Sequence, residues 1–422
     1  MSVIQVFGLT PLEGEISIQG SKNAVLPMAA AALLHRGITV LTNVPVIRDV
    51  ACMVDILEYL GARCCHKGDC LVIDARHITG TSIPEKYVTA MRSSIVVLSA
   101  LLGRMGEGRS CYPGGCLIGA RPIDLHLMAL QALGAEIKEH DGLIEARCRD
   151  AQGLKGTEIH LPYPSVGATE QAILASVLAK EVTVIHGAAK EPEISQLCRF
   201  LNNMGAVICG MGTDHLMIQG VEELHDSSFR VEGDRIVAGT YAAAVMAAMG
   251  SITLKEVRAA ELELPLEMLK RSGASIQKDS CCRQIRIEMK KLPLPLDIKT
   301  GPYPEFPTDL QSPYMAFLAS GQGTSTIVEQ VFEGRFATAK ALVQMGAAVE
   351  TEGQRAVIKG SYPLKGASVY ASDLRGGAAL AVAALAAEGE TLINDCQHIE
   401  RGYEDICRDM AALGADIRWL DK

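Results

Sequence analysis

The sequence predicts an α/β protein of two domains, each assembled from three copies of one unit of about 70 residues. Three observations carry this reading. A chain of 422 residues exceeds what a single hydrophobic core organises. Six helical patterns end in Gly-Ala, their glycines being 61, 134, 205, 273, 346 and 414, spaced 68 to 73 residues apart. Between them recur six alanine-rich segments, each followed by a β-type run. Chance repetition of a common helix ending does not hold so constant a spacing.

The alanine-rich segments are "NAVLPMAAAALL" (23–34), "SSIVVLSALLGRM" (93–105), "GATEQAILASVLAK" (167–180), "AGTYAAAVMAAMG" (238–250), "DLQSPYMAFLASG" (309–321) and "LRGGAALAVAALAA" (374–387). Apolar on most sides, they read as buried helices packed closely against neighbouring backbones. The Gly-Ala segments, such as "LQALGAEIK" and "MAALGADIR", read as outer amphipathic helices, with glycine at the left-handed C-terminal position. Most continue as strand, polar turn and return strand, as in "EIKEHDGLIEA" and "AVETEGQRAVIKG".

Composition excludes several classes. Hydrophobic residues make up 48% and charged residues 21%, the balance of a globular protein and not of a disordered one. A net charge of −9 argues against a general nucleic-acid binder. The longest apolar runs fall short of the ~20 residues that cross a bilayer, and "MSVIQVFGLTPLEGEI" lacks the basic start and apolar core of a signal peptide. The expectation is a cytoplasmic protein without membrane association. Thirteen cysteines without paired CxxC knuckles are expected to be mostly reduced, buried thiols. "CCHKGDC" (64–70) reads as a hairpin, not a metal site, because a second ligand pair is lacking. One cysteine stands apart: Cys116, in "CYPGGCLIGARP", lies on a Gly/Pro-rich loop five residues before Arg121.

Basic residues recur where helices begin: Lys22, Arg92, Arg121, Arg335, Arg375 and Arg401. A helix N-terminus already carries positive partial charge, so a base there is costly unless an anion arrives. Any one of them taken alone reads more readily as a solvated side chain. Together they point to a polyanionic ligand bearing phosphate or carboxylate groups.

The motifs "GSKNAVLPMAAAALL", "PGGCLIGARPIDLHL", "PSVGATE", "EPEI", "YPEFPTDLQ", "DLRGGAAL" and "HIERGYEDI" resemble those of the UDP-N-acetylglucosamine enolpyruvyl transferases, in order along nearly the whole chain. The resemblance implies two inside-out α/β barrels of three βαβαββ repeats, with ligands in the cleft. One domain is expected at 22–231 and the other at 1–21 plus 232–422. It implies transfer of the enolpyruvyl group of phosphoenolpyruvate to the 3′-hydroxyl of UDP-N-acetylglucosamine, with release of phosphate. That is the first committed step of peptidoglycan synthesis, run by addition and elimination with no metal or organic cofactor.

By the same resemblance Lys22, Asn23, Arg92, Arg121 and Arg401 hold phosphoenolpyruvate, and Arg335 and Arg375 occupy further cleft positions. The nucleotide sugar falls to Arg121, Pro122, Ile123, Asp124 and Leu125, to Tyr163, Pro164, Ser165 and Val166, and to Asp309 and Val331. Cys116 becomes the general acid that protonates the enol methylene and the thiol that the epoxide fosfomycin alkylates, with Lys22 and Asp309 the other catalytic positions. Asp309 orients or deprotonates the sugar hydroxyl; read without the resemblance it is equally a helix N-cap. The chain departs from common family residues near Tyr163, at Gln171 and at Gly334, and lacks a histidine often found after "FEGRF". Two alternatives are a 3-phosphoshikimate enolpyruvyl transferase, against which the cysteine loop argues, and a non-catalytic nucleotide-sugar sensor, which has no need of a proton donor. The oligomeric state is left open.

Overall fold

The computed structural model describes residues 2–114, 119, 122–279, 281 and 283–420. Two compact units emerge, one from residues 2–19 with 233–420, the other from 20–114 with 122–232. Each is built as an inside-out α/β barrel, helices within and sheets outside.

The six alanine-rich segments are buried helices. In the second unit they lie at Lys22–Ala31, Val96–Met105 and Val166–Ser176, and the middle one packs on both others. In the first unit they lie at Arg235–Ala248, Gln311–Ala319 and Leu374–Ala384, all three in mutual contact. Small residues permit this close approach: Ala378, Ala379, Ala381 and Ala383 are completely buried.

The Gly-Ala endings close the outer helices Arg48–Tyr59, Asp124–Ala132, Pro192–Asn203, Glu263–Arg271, Thr338–Gln344 and Ile406–Ala412. All six glycines have positive φ, between 83° and 109°. In five of the six the alanine that follows donates its N–H back into the last turn at 3.0 Å, as Ala62 does to Leu57 and Ala415 to Met410. This satisfies carbonyls that the helix end would leave unpaired. An L-residue at such a φ costs roughly 1–2 kcal/mol, which is why the same dipeptide recurs.

The strands show how the repeats interlock. Most sheets combine an antiparallel hairpin with one parallel edge strand taken from the neighbouring repeat. In the second unit Glu158–His160 pairs in parallel with Val182–His186, and Ser227–Arg230 returns to pair with Ile38–Thr42, closing the ring of three. In the first unit the ring closes through the beginning of the chain. Ile4–Phe7 lies antiparallel between Asp416–Trp419 and Glu390–Asn394, and Leu12–Ser17 runs parallel to Gly250–Lys255. The opening residues are thus the last strands of the third repeat. Among the described residues no helix is long and apolar enough to cross a membrane.

One expectation is corrected. Of the described cysteines only Cys111, Cys198, Cys396 and Cys407 are buried, while Cys65, Cys209 and Cys281 are exposed. Cys65 and Cys209 lie on outer-sheet strands, Arg63–Lys67 and Val207–Cys209, whose alternation turns every second side chain outward. The expected hairpin over "CCHKGDC" is present as Arg63–Lys67 against Cys70–Asp74.

Candidate active site

In the first unit the expected cations gather around one carboxylate. Asp309 lies in the short turn Thr308–Leu310 that opens a buried helix. It does not cap that helix, since no side-chain cap bond forms there. Its carboxylate instead accepts from Arg375, through Nε at 3.2 Å and Nη2 at 2.9 Å, and from Arg335 through Nη2. Both arginine side chains are almost wholly buried, 3% and 4% exposed, against 25% for Asp309. Burial opposes the charge on Arg375, but Asp309, with Tyr403 and Asp234, holds its pKa above the ordinary arginine value. Its Nη1 remains buried without a hydrogen-bond partner.

The N-termini of the three buried helices converge here. Asp234 caps Arg235–Ala248 through the N–H groups of Ile236 and Val237, and Asp373 caps Leu374–Ala384 through those of Arg375 and Gly376. Arg235, the first residue of its helix, is buried, with its guanidinium 5.8 Å from the Tyr303 ring centroid. The helix-start reasoning that picked out Arg375 applies equally to Arg235, which it overlooked. Several buried guanidinium groups and three helix N-termini thus meet the carboxylates of Asp234, Asp309 and Asp373 at this end.

Glu329, fully buried, is the second residue that sequence reasoning missed. Its Oε1 accepts from Thr300 at 2.9 Å and from the N–H groups of Val331 at 2.8 Å and Phe332 at 3.1 Å, while Oε2 accepts from Thr308 at 2.9 Å. One carboxylate therefore fixes Val331 relative to the turn that carries Asp309. Arg401 ends the turn Cys396–Arg401, two residues before Tyr403, whose ring lies 5.9 Å from the Arg375 guanidinium.

In the second unit Lys22 begins its helix buried, and its Nζ lies 2.7 Å from Asp49, itself buried at the start of an outer helix. Asn23 beside it is half-buried. Arg92 opens a short turn, Arg92–Ile95, ahead of the buried helix rather than the helix itself, and donates to the carbonyl of Pro122 at 3.2 Å. That contact ties it to the segment Pro122, Ile123, Asp124, Leu125. The start of Val166–Ser176 packs on the same segment's helix: a Cβ at Gly167 would lie 2.5 Å from Nε2 of His126. Tyr163 is exposed, Pro164 and Val166 are half-buried, and Ser165 caps the helix by accepting from the N–H of Ala168 at 3.3 Å. Gln171, a departure noted above, is fully buried and donates to the carbonyl of Ile95 at 2.9 Å. Burial, reinforced by Glu193 and Glu191, pushes the Glu170 carboxyl up to about 8. Cys116 and Arg121 lie outside the described residues.

Three of the bases at helix starts are thus held by the protein's own carboxylates. The sequence pointed to an anionic ligand for these bases as a group; within the protein Lys22 pairs with Asp49, and Arg335 and Arg375 pair with Asp309.

Comparison with known proteins places this arrangement. The chain matches, over 99% of its length and 98% of theirs, the enolpyruvyl transferase NikO from Streptomyces tendae, with a TM-score of 0.88 at 24% identity. It matches the EPSP synthase from Acinetobacter baumannii over the whole of both chains, with a TM-score of 0.75 at 16% identity. The profile of the EPSP synthase (3-phosphoshikimate 1-carboxyvinyltransferase) family covers residues 6–410. The fold is that of the enolpyruvyl transferases. In sequence the chain is 44% identical to UDP-N-acetylglucosamine 1-carboxyvinyltransferase 2 of Caldanaerobacter subterraneus subsp. tengcongensis, over 99% of both chains. It is 45% identical to UDP-N-acetylglucosamine 1-carboxyvinyltransferase 1 of Symbiobacterium thermophilum, over 98% of this chain and 94% of that one. The chain belongs to this carboxyvinyltransferase family, on the UDP-N-acetylglucosamine 1-carboxyvinyltransferase branch, and is an enzyme of that kind.

Proposed function

We propose that the chain transfers the enolpyruvyl group of phosphoenolpyruvate to the 3′-hydroxyl of UDP-N-acetylglucosamine and releases phosphate, in the cytoplasm, without metal or organic cofactor. The sugar oxygen adds to the enol carbon while a proton goes to its methylene, giving a tetrahedral phospho-ketal; loss of that proton expels phosphate and restores the double bond. Cys116 is the acid that delivers the proton. Asp309 orients or deprotonates the sugar hydroxyl. Lys22, Asn23, Arg92, Arg121 and Arg401 bind phosphoenolpyruvate. Pro122–Leu125 with Arg121, Tyr163–Val166 and Val331 bind the nucleotide sugar, and Arg335 and Arg375 orient the Asp309 carboxylate. The domain boundaries at 21/22 and 231/232 belong to this reading.

The observation that carries it is the Asp309 carboxylate gripped by two buried arginines, with a further buried N–H of Arg375 left to donate. Such an arrangement keeps a carboxylate charged and oriented, and stabilises charge that develops beside it. The deciding experiment is phosphate release from phosphoenolpyruvate with UDP-N-acetylglucosamine or shikimate 3-phosphate as acceptor, in excess chelator. Turnover is expected with the first alone. Turnover with shikimate 3-phosphate alone, or loss of turnover in chelator, refutes the proposal.

A further inference from the structure

The outer face of one sheet carries a group of side chains that the reaction does not use. Glu158 and His160 on Glu158–His160 and His186 on Val182–His186 point outward from adjacent parallel strands. The register sets His186 opposite His160 on one side and opposite His215 on the other, so three imidazoles form a row across three strands. Glu158, two residues before His160, shares that face. The His160 and His186 rings stack at 4.4 Å with 3° between their planes. Their Nε2 atoms lie 3.5 and 3.8 Å from the same oxygen, Oε2 of Glu158. His215 meets His186 edge-on at 5.0 Å and is itself held by Asp214 at 2.7 Å.

We propose that Glu158, His160 and His186 bind one divalent transition ion of the zinc class. A tetrahedral ion with bonds of about 2.0–2.1 Å separates its donors by roughly 3.3–3.4 Å. The two nitrogen–oxygen distances exceed that by only a few tenths of an ångström, and the three donor atoms all lie within 4.8 Å of one another; one imidazole turns about χ2 out of the parallel stack so that both in-plane lone pairs aim at the ion. Among the described residues no other group of this kind occurs. Nε2 of His186 is a buried polar atom without a hydrogen-bond partner. A lone pair in that position is costly to leave unmatched, and an ion matches it. Two imidazoles and one carboxylate suit Zn²⁺, Co²⁺ or Ni²⁺, where Mg²⁺ and Ca²⁺ prefer oxygen alone.

The placement gives the ion a structural task. The parallel pair bridged by His160 and His186 joins the second repeat of this unit to the third, with three paired positions and a further parallel bridge between Lys155 and Lys180. An ion here pins that seam, so it stabilises the fold and leaves turnover free of metal.

The test uses the full chain stripped of metal and titrated with Co²⁺ and Zn²⁺, followed by absorption and thermal unfolding. One ion per chain is expected, with visible d–d bands and no intense near-ultraviolet thiolate band, and Zn²⁺ should raise the unfolding midpoint by several degrees where Mg²⁺ does not. His160→Gln and His186→Gln should each weaken binding by about tenfold or more and remove the shift, with the metal-free midpoint unchanged. Cys209, exposed on the edge strand of the same sheet, offers a competing thiolate. A thiolate band that survives in the His160→Gln/His186→Gln double variant overturns the proposal. So does unaltered Zn²⁺ affinity in that variant, or no binding in the parent chain.

Discussion

Replacing Asp309 by alanine tests the centre of the site. The substitution removes the carboxylate from two guanidinium groups that are 3% and 4% exposed. In the fold they reach little water, and Arg375 already has one buried N–H without a partner. Removing one member of a buried ionic network in this way costs about 3–5 kcal/mol. For a unit of this size, each kcal/mol moves the unfolding midpoint by roughly 2–4 °C, so a fall of about 6–20 °C is expected by calorimetry. Asp309→Ala/Arg375→Ala should be less destabilised than the sum of the single variants, because the second change removes a charge that the first left stranded. Asp309→Asn keeps the shape and loses the base, so phosphate release should fall by about 10²–10⁴ while less stability is lost. An Asp309→Ala midpoint within 2 °C of the parent's would show that the arginines do not depend on this carboxylate. Full turnover by Asp309→Asn would remove it from the chemistry.

Two further predictions are independent of this centre. The Glu170 carboxyl, at about 8 in the fold against 4.5 for an ordinary side chain, favours the folded state fully below pH 4.5 and loses that contribution as pH rises towards 8. Glu170→Gln, a permanent mimic of the protonated form, should therefore melt above the parent by a margin that opens between pH 5 and 8.5, bounded by about 5 kcal/mol; a margin indifferent to pH refutes this. Cys65, Cys209 and Cys281 are exposed and will take general thiol reagents, whereas burial pushes Cys64, Cys198 and Cys396 up to about 12 and makes them inert. The discriminating reagent is fosfomycin with UDP-N-acetylglucosamine, which should leave a single adduct on Cys116 by mass spectrometry; an adduct elsewhere, or turnover by Cys116→Ala, removes that residue from its role.

What the sequence reveals and what it conceals divide along contact distance. The Gly-Ala endings, the hairpins and the alanine-rich helices are local: each follows from a backbone preference or a periodicity within some 15 residues, and each is found where the pattern put it. The grip of Arg335 and Arg375 on Asp309 spans 26 and 66 residues, so the sequence could name the three and not their partnership. Reasoning from helix dipoles therefore pointed to an anionic ligand and could not foresee that Asp49 and Asp309 also stand beside these bases. Glu329 gave no signal, since a lone glutamate after a strand reads as surface until its four donors are seen to come from two separate loops. The histidine row is hidden for a related reason. Its members lie far apart along the chain, and only the register of a parallel and an antiparallel pairing brings them level. A one-residue slip in either pairing would turn a ring to the other face, so the row is a property of the sheet before it is a property of the sequence.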